Sequence, residues 1–128
     1  VDSPLHEYVM HEFKDWLARL YARPGMEVLL DHTYTQSSGT ATMSDIWDAP
    51  IIKEFCGLDG KPFFGGKGTE GHLIFSINMD GFNPYGNKQS GKQVSVSAIY
   101  MTCLNLPCDT QNHMENMFLV GVVPGPKE

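Results

Sequence analysis

Three short apolar runs in the second half of the chain constrain its fold more than any other feature. They cover residues 73–79, 94–104 and 117–123. The second run begins with strand-like alternation and becomes apolar on both faces, and the third contains β-branched residues. The segments that join them contain turn-forming residues and are too short to hold crossover helices. Consecutive strands joined in this way form an antiparallel meander, so we predict a three-stranded antiparallel sheet.

The first half of the chain has helical periodicity instead. Ser3 and Pro4 predict the start of a helix. The serine hydroxyl can cap the first turn, and the N–H that proline lacks would have no hydrogen-bond partner at the first helical position. Apolar residues then recur at three- and four-residue spacing as far as Tyr21. A second helix is predicted over residues 26–32, with brief helical turns after Asp45 and after Pro50. The predicted fold class is α/β (mixed), with N-terminal helices before the meander.

Charge limits the function classes that are open to this chain. Its 128 residues are enough for one domain with a usable core. Nine Lys and Arg stand against fifteen Asp and Glu, for a net charge of −6. Phosphate neutralisation supplies much of the affinity for nucleic acid, so strong unaided DNA binding is not expected. No apolar stretch approaches the ~20 residues of a membrane span, so we expect no membrane partner.

The cysteines indicate an intracellular protein. Cys56, Cys103 and Cys108 are an odd number of thiols, which argues against a disulfide framework. Cys103, Cys108 and His113 are evenly spaced, and this spacing gives an alternative prediction, a zinc site. Structural zinc takes four ligands, and the fourth would have to come from Cys56 or a distant histidine. A small buried thiol is the ordinary interpretation of Cys103 in an apolar strand.

Asp80 is the best candidate for chemistry. It follows the first apolar run and precedes a turn rich in Gly, Asn and Pro, so we expect it at the tip of a buried strand. A carboxylate in that place suits a metal ligand or an acid/base group. The alternative is a strand-end aspartate that hydrogen-bonds the following turn. Lys88 and Lys92, in the same turn-rich segment, are candidate phosphate contacts, although solvated lysines are the simpler interpretation.

The motif around Asp80 is similar to a known family. Residues 75–87 read FSINMDGFNPYGN and resemble the D-[GW]-F-N-P-[FY]-G-N signature of CACTA-type (En/Spm-like) DNA transposases, the fungal Plavaka-like branch above all. Further stretches that fit this branch are residues 13–20, 44–47, 91–92, 97–100, 103–107 and 124–128. The resemblance therefore extends over most of the chain.

The resemblance implies an RNase H-like catalytic core. In such transposases three acidic residues hold Mg²⁺ (or Mn²⁺) for phosphodiester cleavage and strand transfer, and the first acid lies on the first strand, where only Asp80 matches. Residues 1–71 would be a helical N-terminal flank, and residues 72–128 the first three strands of a truncated core. Asp109 and Glu115 lie between the second and third strands, the wrong place for the other acids.

Several expectations follow from this resemblance. The chain does not begin with Met, and we expect a segment of a longer, nuclear protein that is inactive alone and reaches DNA through its parent. The alternative is a non-catalytic, transposon-derived interaction module that self-associates through an unpaired strand edge.

Overall fold

The computed structural model describes residues 10–32, 42–64, 70–83 and 96–125. Its elements, in chain order, are α1 (Phe13–Tyr21), α2 (Met26–His32), a 3₁₀ turn (Ile46–Asp48), α3 (Pro50–Lys53), β1 (Phe75–Phe82), β2 (Val96–Cys103), a second 3₁₀ turn (Met114–Asn116) and β3 (Met117–Pro124). The protein is a mixed helix and strand structure, as predicted. None of the helices in these ranges is long and apolar enough to cross a membrane.

The sheet is the predicted antiparallel meander. Its strand order is β1-β2-β3, so β2 is central and is paired on both sides. The β2–β3 register shifts between Ile99 and Tyr100, which face Gly121 and Leu119, and Val120 is therefore the extra residue of a β-bulge. Within the described residues β1 pairs with β2 alone, which leaves its other edge open.

Helix α2 has the predicted bounds, whereas α1 is shorter than predicted. Glu12 is extended, with φ −70° and ψ 134°, so the helix begins at Phe13 and residues 10–12 are not helical. The predicted start at Ser3 and Pro4 lies outside the described residues. Intrinsic propensities differ by less than about 1 kcal/mol per residue, so tertiary contacts of Phe13 decide where the helix begins.

Aromatic contacts hold α1 against the sheet. The Phe13 ring lies 5.6 Å from Phe75 on β1 and 5.2 Å from Phe118 on β3, both in edge-to-face geometry. Trp16 lies 5.4 Å from Phe118. Such pairs contribute about 1 kcal/mol each beyond the area they bury. One end of the sheet is therefore fixed to α1.

A common core joins both helices to the end of β2. The buried members of this core are Leu20, Met26, Leu30, Cys103 and Leu106. Full burial of such an aliphatic side chain stabilises the fold by about 2 kcal/mol. Gly25, with φ +80°, makes the turn that brings α2 back against α1.

Arg23 links the helical corner to the loop between β2 and β3. Its Nη1 donates to Asn116 Oδ1 at 2.7 Å, and its Nη2 donates to the Glu115 carbonyl at 2.6 Å. The Asn116 amide in turn donates to the Thr110 carbonyl at 2.9 Å. Hydrogen bonds from a charged donor are stronger than neutral ones, so this contact fixes the loop relative to α1.

A separate aromatic group surrounds Trp47. Asp45 caps the 3₁₀ turn as predicted, accepting a hydrogen bond from the Trp47 backbone N–H at 3.4 Å. The indole Nε1 donates to the Leu104 carbonyl at 3.4 Å, just after β2. The Trp47 ring also lies 5.4 Å from Phe64. Residues 42–64 are thereby attached to the same end of the sheet as the helices.

Candidate functional site

Asp80 lies inside β1, not at its tip. It is the sixth of the eight residues of the strand and pairs with Ala98 on β2. The sequence predicted a strand over residues 73–79, but β1 begins two residues later and continues through Gly81 to Phe82. Pairing with β2 explains the difference, because the ladder extends to Phe82 and Val96. Cross-strand partners outweigh the low strand propensity of Asp and Gly.

The strand is also less buried than predicted. Phe75 and Ser76 are half-buried, whereas every residue from Ile77 to Phe82 is exposed. Ile77 and Met79 are 71% and 70% exposed, although they lie on the same face as Phe75. The prediction of a buried strand is therefore wrong for the half that carries Asp80.

The inner end of β1 is positioned by a buried amide. Asn105 is 0% exposed, and its Oδ1 accepts a hydrogen bond from the Ile74 N–H at 2.9 Å. Its Nδ2 donates to the His72 carbonyl at 3.1 Å. Together with the ring contacts of Phe75, these bonds fix where β1 begins.

One face of the outer part of the sheet is polar. Side chains alternate along a strand, so Ser76, Asn78 and Asp80 share the face opposite Phe75. The Asn78 Nδ2 donates to Ser76 Oγ at 3.1 Å. Asn78 pairs with Tyr100 on β2, whose side chain lies on the same face. We call Ser76, Asn78 and Asp80 of β1, together with Tyr100 of β2, the polar face.

The Asp80 carboxylate is exposed and has no hydrogen-bond or ion-pair partner within the described part of the chain. The turn-capping alternative therefore has no support from residues 81–83. Ala98 opposite it and Gly81 beside it are small, which leaves the carboxylate accessible. An accessible carboxylate is a suitable hard oxygen ligand for Mg²⁺ or Mn²⁺. The chemistry of Asp80 thus fits one metal ligand.

The other acids considered from the sequence do not join Asp80. Asp109 and Glu115 lie in the loop between β2 and β3, as predicted, and Glu115 Oε1 lies 3.8 Å from His113 Nδ1. In residues 10–32, 42–64, 70–83 and 96–125, no three His, Cys, Asp or Glu side chains come together as a metal site.

The alternative zinc ligands are separated by the fold. Cys103 is fully buried between the helices and the sheet, whereas Cys56 and Cys108 are exposed free thiols on other segments. Burial raises the pKa of the Cys103 thiol, which disfavours the thiolate that zinc requires. Among the described residues, Cys103 therefore has the environment of a core side chain.

Two parts of the predicted site lie outside the described residues. Lys88, Lys92 and most of the turn that follows Asp80 belong to residues 84–95, so the proposed phosphate contacts stay predictions. Conversely, sequence reasoning missed Asn78 and Tyr100. The available signal was the polar residue at every second position of an otherwise apolar run, which places Ser76, Asn78 and Asp80 on one face.

No protein-family model, no curated protein and no solved structure matches the chain. The likeness to CACTA-type transposases therefore depends on the motif around Asp80 and its accompanying stretches.

Proposed function

We propose that the chain contributes the first catalytic strand, with Asp80 as its first metal ligand, to an RNase H-like DNA transposase core. The observation that carries the proposal is the position of Asp80, which is exposed and unpartnered among the described residues on the edge strand of an antiparallel meander. The motif resemblance requires an acid on the first strand of the core, and the proposal assigns that role to β1.

Among the described residues the outer edge of β1 is unpaired, so a further strand could pair with it. Neighbouring strands lie about 4.8 Å apart. A further strand on the free side of β1 would therefore bring its own side chains close to Asp80. The proposal requires two acids besides Asp80, and it assigns them to residues outside these 128.

The role of Asp80 in this proposal is to hold a divalent cation. Bound metal would activate the attacking oxygen and stabilise the leaving oxygen in phosphodiester cleavage. A single carboxylate supplies few of the six oxygens that Mg²⁺ requires, so the chain alone should bind metal weakly and show no nuclease activity. Because the chain has a net charge of −6, the proposal assigns the contacts with the DNA backbone to other parts of the protein.

Metal titration of the 128-residue protein tests the proposal. Mn²⁺ should broaden the amide signals of residues 78–82 first, and Asp80→Asn should abolish this local broadening. Asp109→Asn is the matched control, because Asp109 is an exposed loop aspartate and its loss should leave the pattern unchanged. Identical broadening in the wild type and Asp80→Asn would exclude Asp80 as the ligand.

A second candidate function is self-association of a non-catalytic module. Its specific support is that β1 has one unpaired edge among the described residues and that Ile77 and Met79 on this strand are about 70% exposed. Low charge at an exposed edge favours strand pairing, and Asp80 is the only charged residue of β1. The partner in this proposal is a second copy of the chain, paired through β1. Sedimentation should then show a dimer that Met79→Lys dissociates, while a monomer at all concentrations would exclude it.

A further inference from the structure

The composition of β1 conflicts with its secondary structure at the polar face. Asn, Asp and Gly are depleted in strands, yet Asn78, Asp80 and Gly81 all lie within β1. Asn78 and Asp80 are also exposed, so neither contributes to the core. Residues that break local rules without a packing gain are expected at functional sites.

The register brings two further polar groups to the vicinity of Asp80. Asn78 is two residues away on the same face, and Tyr100 is directly opposite Asn78. The diagonal from Asp80 to Tyr100 corresponds to about 7–8 Å, which long aromatic side chains can span. Ala98, opposite Asp80, has only a methyl group and leaves the space between them open.

The hydrogen bond of Asn78 determines which of its atoms remains for a ligand. Its Nδ2 donates to Ser76 Oγ at 3.1 Å, and no described residue donates to its Oδ1. The polar face therefore presents an amide oxygen beside the carboxylate. The Tyr100 hydroxyl has no hydrogen-bond partner among the described residues either, and a phenol oxygen also accepts hydrogen bonds.

Acceptors of this kind suit the water shell of a cation. Mg²⁺ keeps several water molecules when it binds to one or two carboxylates. Those waters are hydrogen-bond donors, and groups that accept from them increase the affinity of a site. A direct ligand role for Asn78 or Tyr100 is not needed.

We propose that Asn78 and Tyr100 accept hydrogen bonds from water molecules of a divalent cation held by Asp80. This inference rests on the proposed function, because it takes Asp80 as the metal ligand. It adds two positioning residues, one on each of two paired strands, and it makes the β1–β2 register part of the site. The chemical class of ligand is a hydrated, hard divalent cation.

The test measures Mn²⁺ affinity of the 128-residue protein by the relaxation of water protons, which reports on the bound waters. Asn78→Ala and Tyr100→Phe should each raise the Mn²⁺ dissociation constant by about tenfold, as losses of outer contacts do in other metal sites. Ser97→Ala is the matched control, since it removes a β2 hydroxyl from the opposite face. Its dissociation constant should equal that of the wild type.

The possible results separate the two proposals. If Asp80→Asn abolishes binding while Asn78→Ala and Tyr100→Phe bind Mn²⁺ like the wild type, this inference is overturned and the metal role of Asp80 stands. If the wild type shows no Mn²⁺ binding centred on Asp80, both fail. Spectra of the amide region establish that each variant is folded. Tyr100→Phe is the milder of the two changes, because it removes only the hydroxyl group and keeps the ring.

Discussion

Asn105 and Ile74 are joined by a hydrogen bond of 2.9 Å between a buried amide oxygen and a backbone N–H. The same side chain donates to the His72 carbonyl. Asn105, which follows β2, therefore hydrogen-bonds two backbone groups of the segment that precedes β1. Asn105 thus aligns the two strands at the end where the core lies. Its removal tests how strongly the start of β1 depends on that alignment.

We expect Asn105→Ala to lower the free energy of unfolding by about 2 kcal/mol, because it removes two hydrogen bonds of a buried side chain and leaves a cavity in their place. Chemical denaturation measures this change. Asn112→Ala is the control, since Asn112 is exposed, and its effect should stay within about 0.5 kcal/mol. Equal stability of both variants would show that the amide contacts contribute nothing.

Thr102→Val should stabilise the protein. Thr102 is 3% exposed, and its Oγ1 has no hydrogen-bond partner within the described residues. Valine has the same shape without the buried polar atom, so the free energy of unfolding should rise by about 1 kcal/mol. Thr110→Val is the matched control, because the Thr110 hydroxyl donates to the Pro107 carbonyl at 3.0 Å, and it should destabilise. A loss of stability in Thr102→Val would contradict the expectation.

Asp48 should make the stability depend on acidic pH. The backbone N–H and hydroxyl of Ser44 hydrogen-bond its carboxylate and lower its pKa, with smaller help from the Asp45 N–H and Lys53 against the opposing effect of burial. A folded pKa below the unfolded value stabilises the protein above the unfolded pKa, and the effect disappears as pH falls through the folded pKa. Denaturation from about pH 5 downward should therefore show decreasing stability.

The comparison variant for this prediction is Asp48→Asn. It lacks the titrating group, so its stability should decrease less steeply over the same acidic range. Asp31→Asn, a change at an exposed aspartate of α2, should leave the wild-type slope intact. Parallel curves for the wild type and Asp48→Asn would contradict the prediction.

The three thiols should differ in reactivity. Cys56 and Cys108 are exposed, whereas Cys103 is 0% exposed and burial raises the pKa of its thiol. Because the thiolate is the reactive form, a thiol reagent should modify two cysteines rapidly and the third only slowly or after unfolding. In the double variant Cys56→Ser/Cys108→Ser the rapid phase should vanish. Three rapid equivalents in the wild type would show that Cys103 is accessible.

Local patterns predicted the elements of the fold better than their limits. The helix stop at Gly25 was enough to separate α2 from the first helix, and loop length was enough for the meander. The end of β1 was predicted wrongly, since Asp80 and Gly81 are typical of turns and only pairing with β2 retains them in the strand. The role of Asn105 in joining the start of β1 to the end of β2 could not be recognised, because its hydrogen-bond partners lie about thirty residues earlier in the chain.

The candidate site was predictable only in part. Asp80 was identified from its sequence context, but its exposure was not predicted, because an apolar run does not show which part of a strand the core covers. The face that Asn78 and Tyr100 share required the register between β1 and β2. Register is a property of two segments together, so no single run of the sequence contains it.

The decrease in burial along β1 has a consequence for any ligand of Asp80. Core contacts and the hydrogen bonds of Asn105 hold the inner end of the strand, whereas the side chains of the outer half, from Ile77 to Phe82, are exposed in the described part of the chain. A ligand that immobilises the exposed side chains of the outer half must offset the conformational entropy lost by that half. A neighbour that covers the free edge would already have ordered it, and would therefore increase the affinity at Asp80. By thermodynamic reciprocity, a ligand at Asp80 would strengthen the attachment of such a neighbour by the same factor.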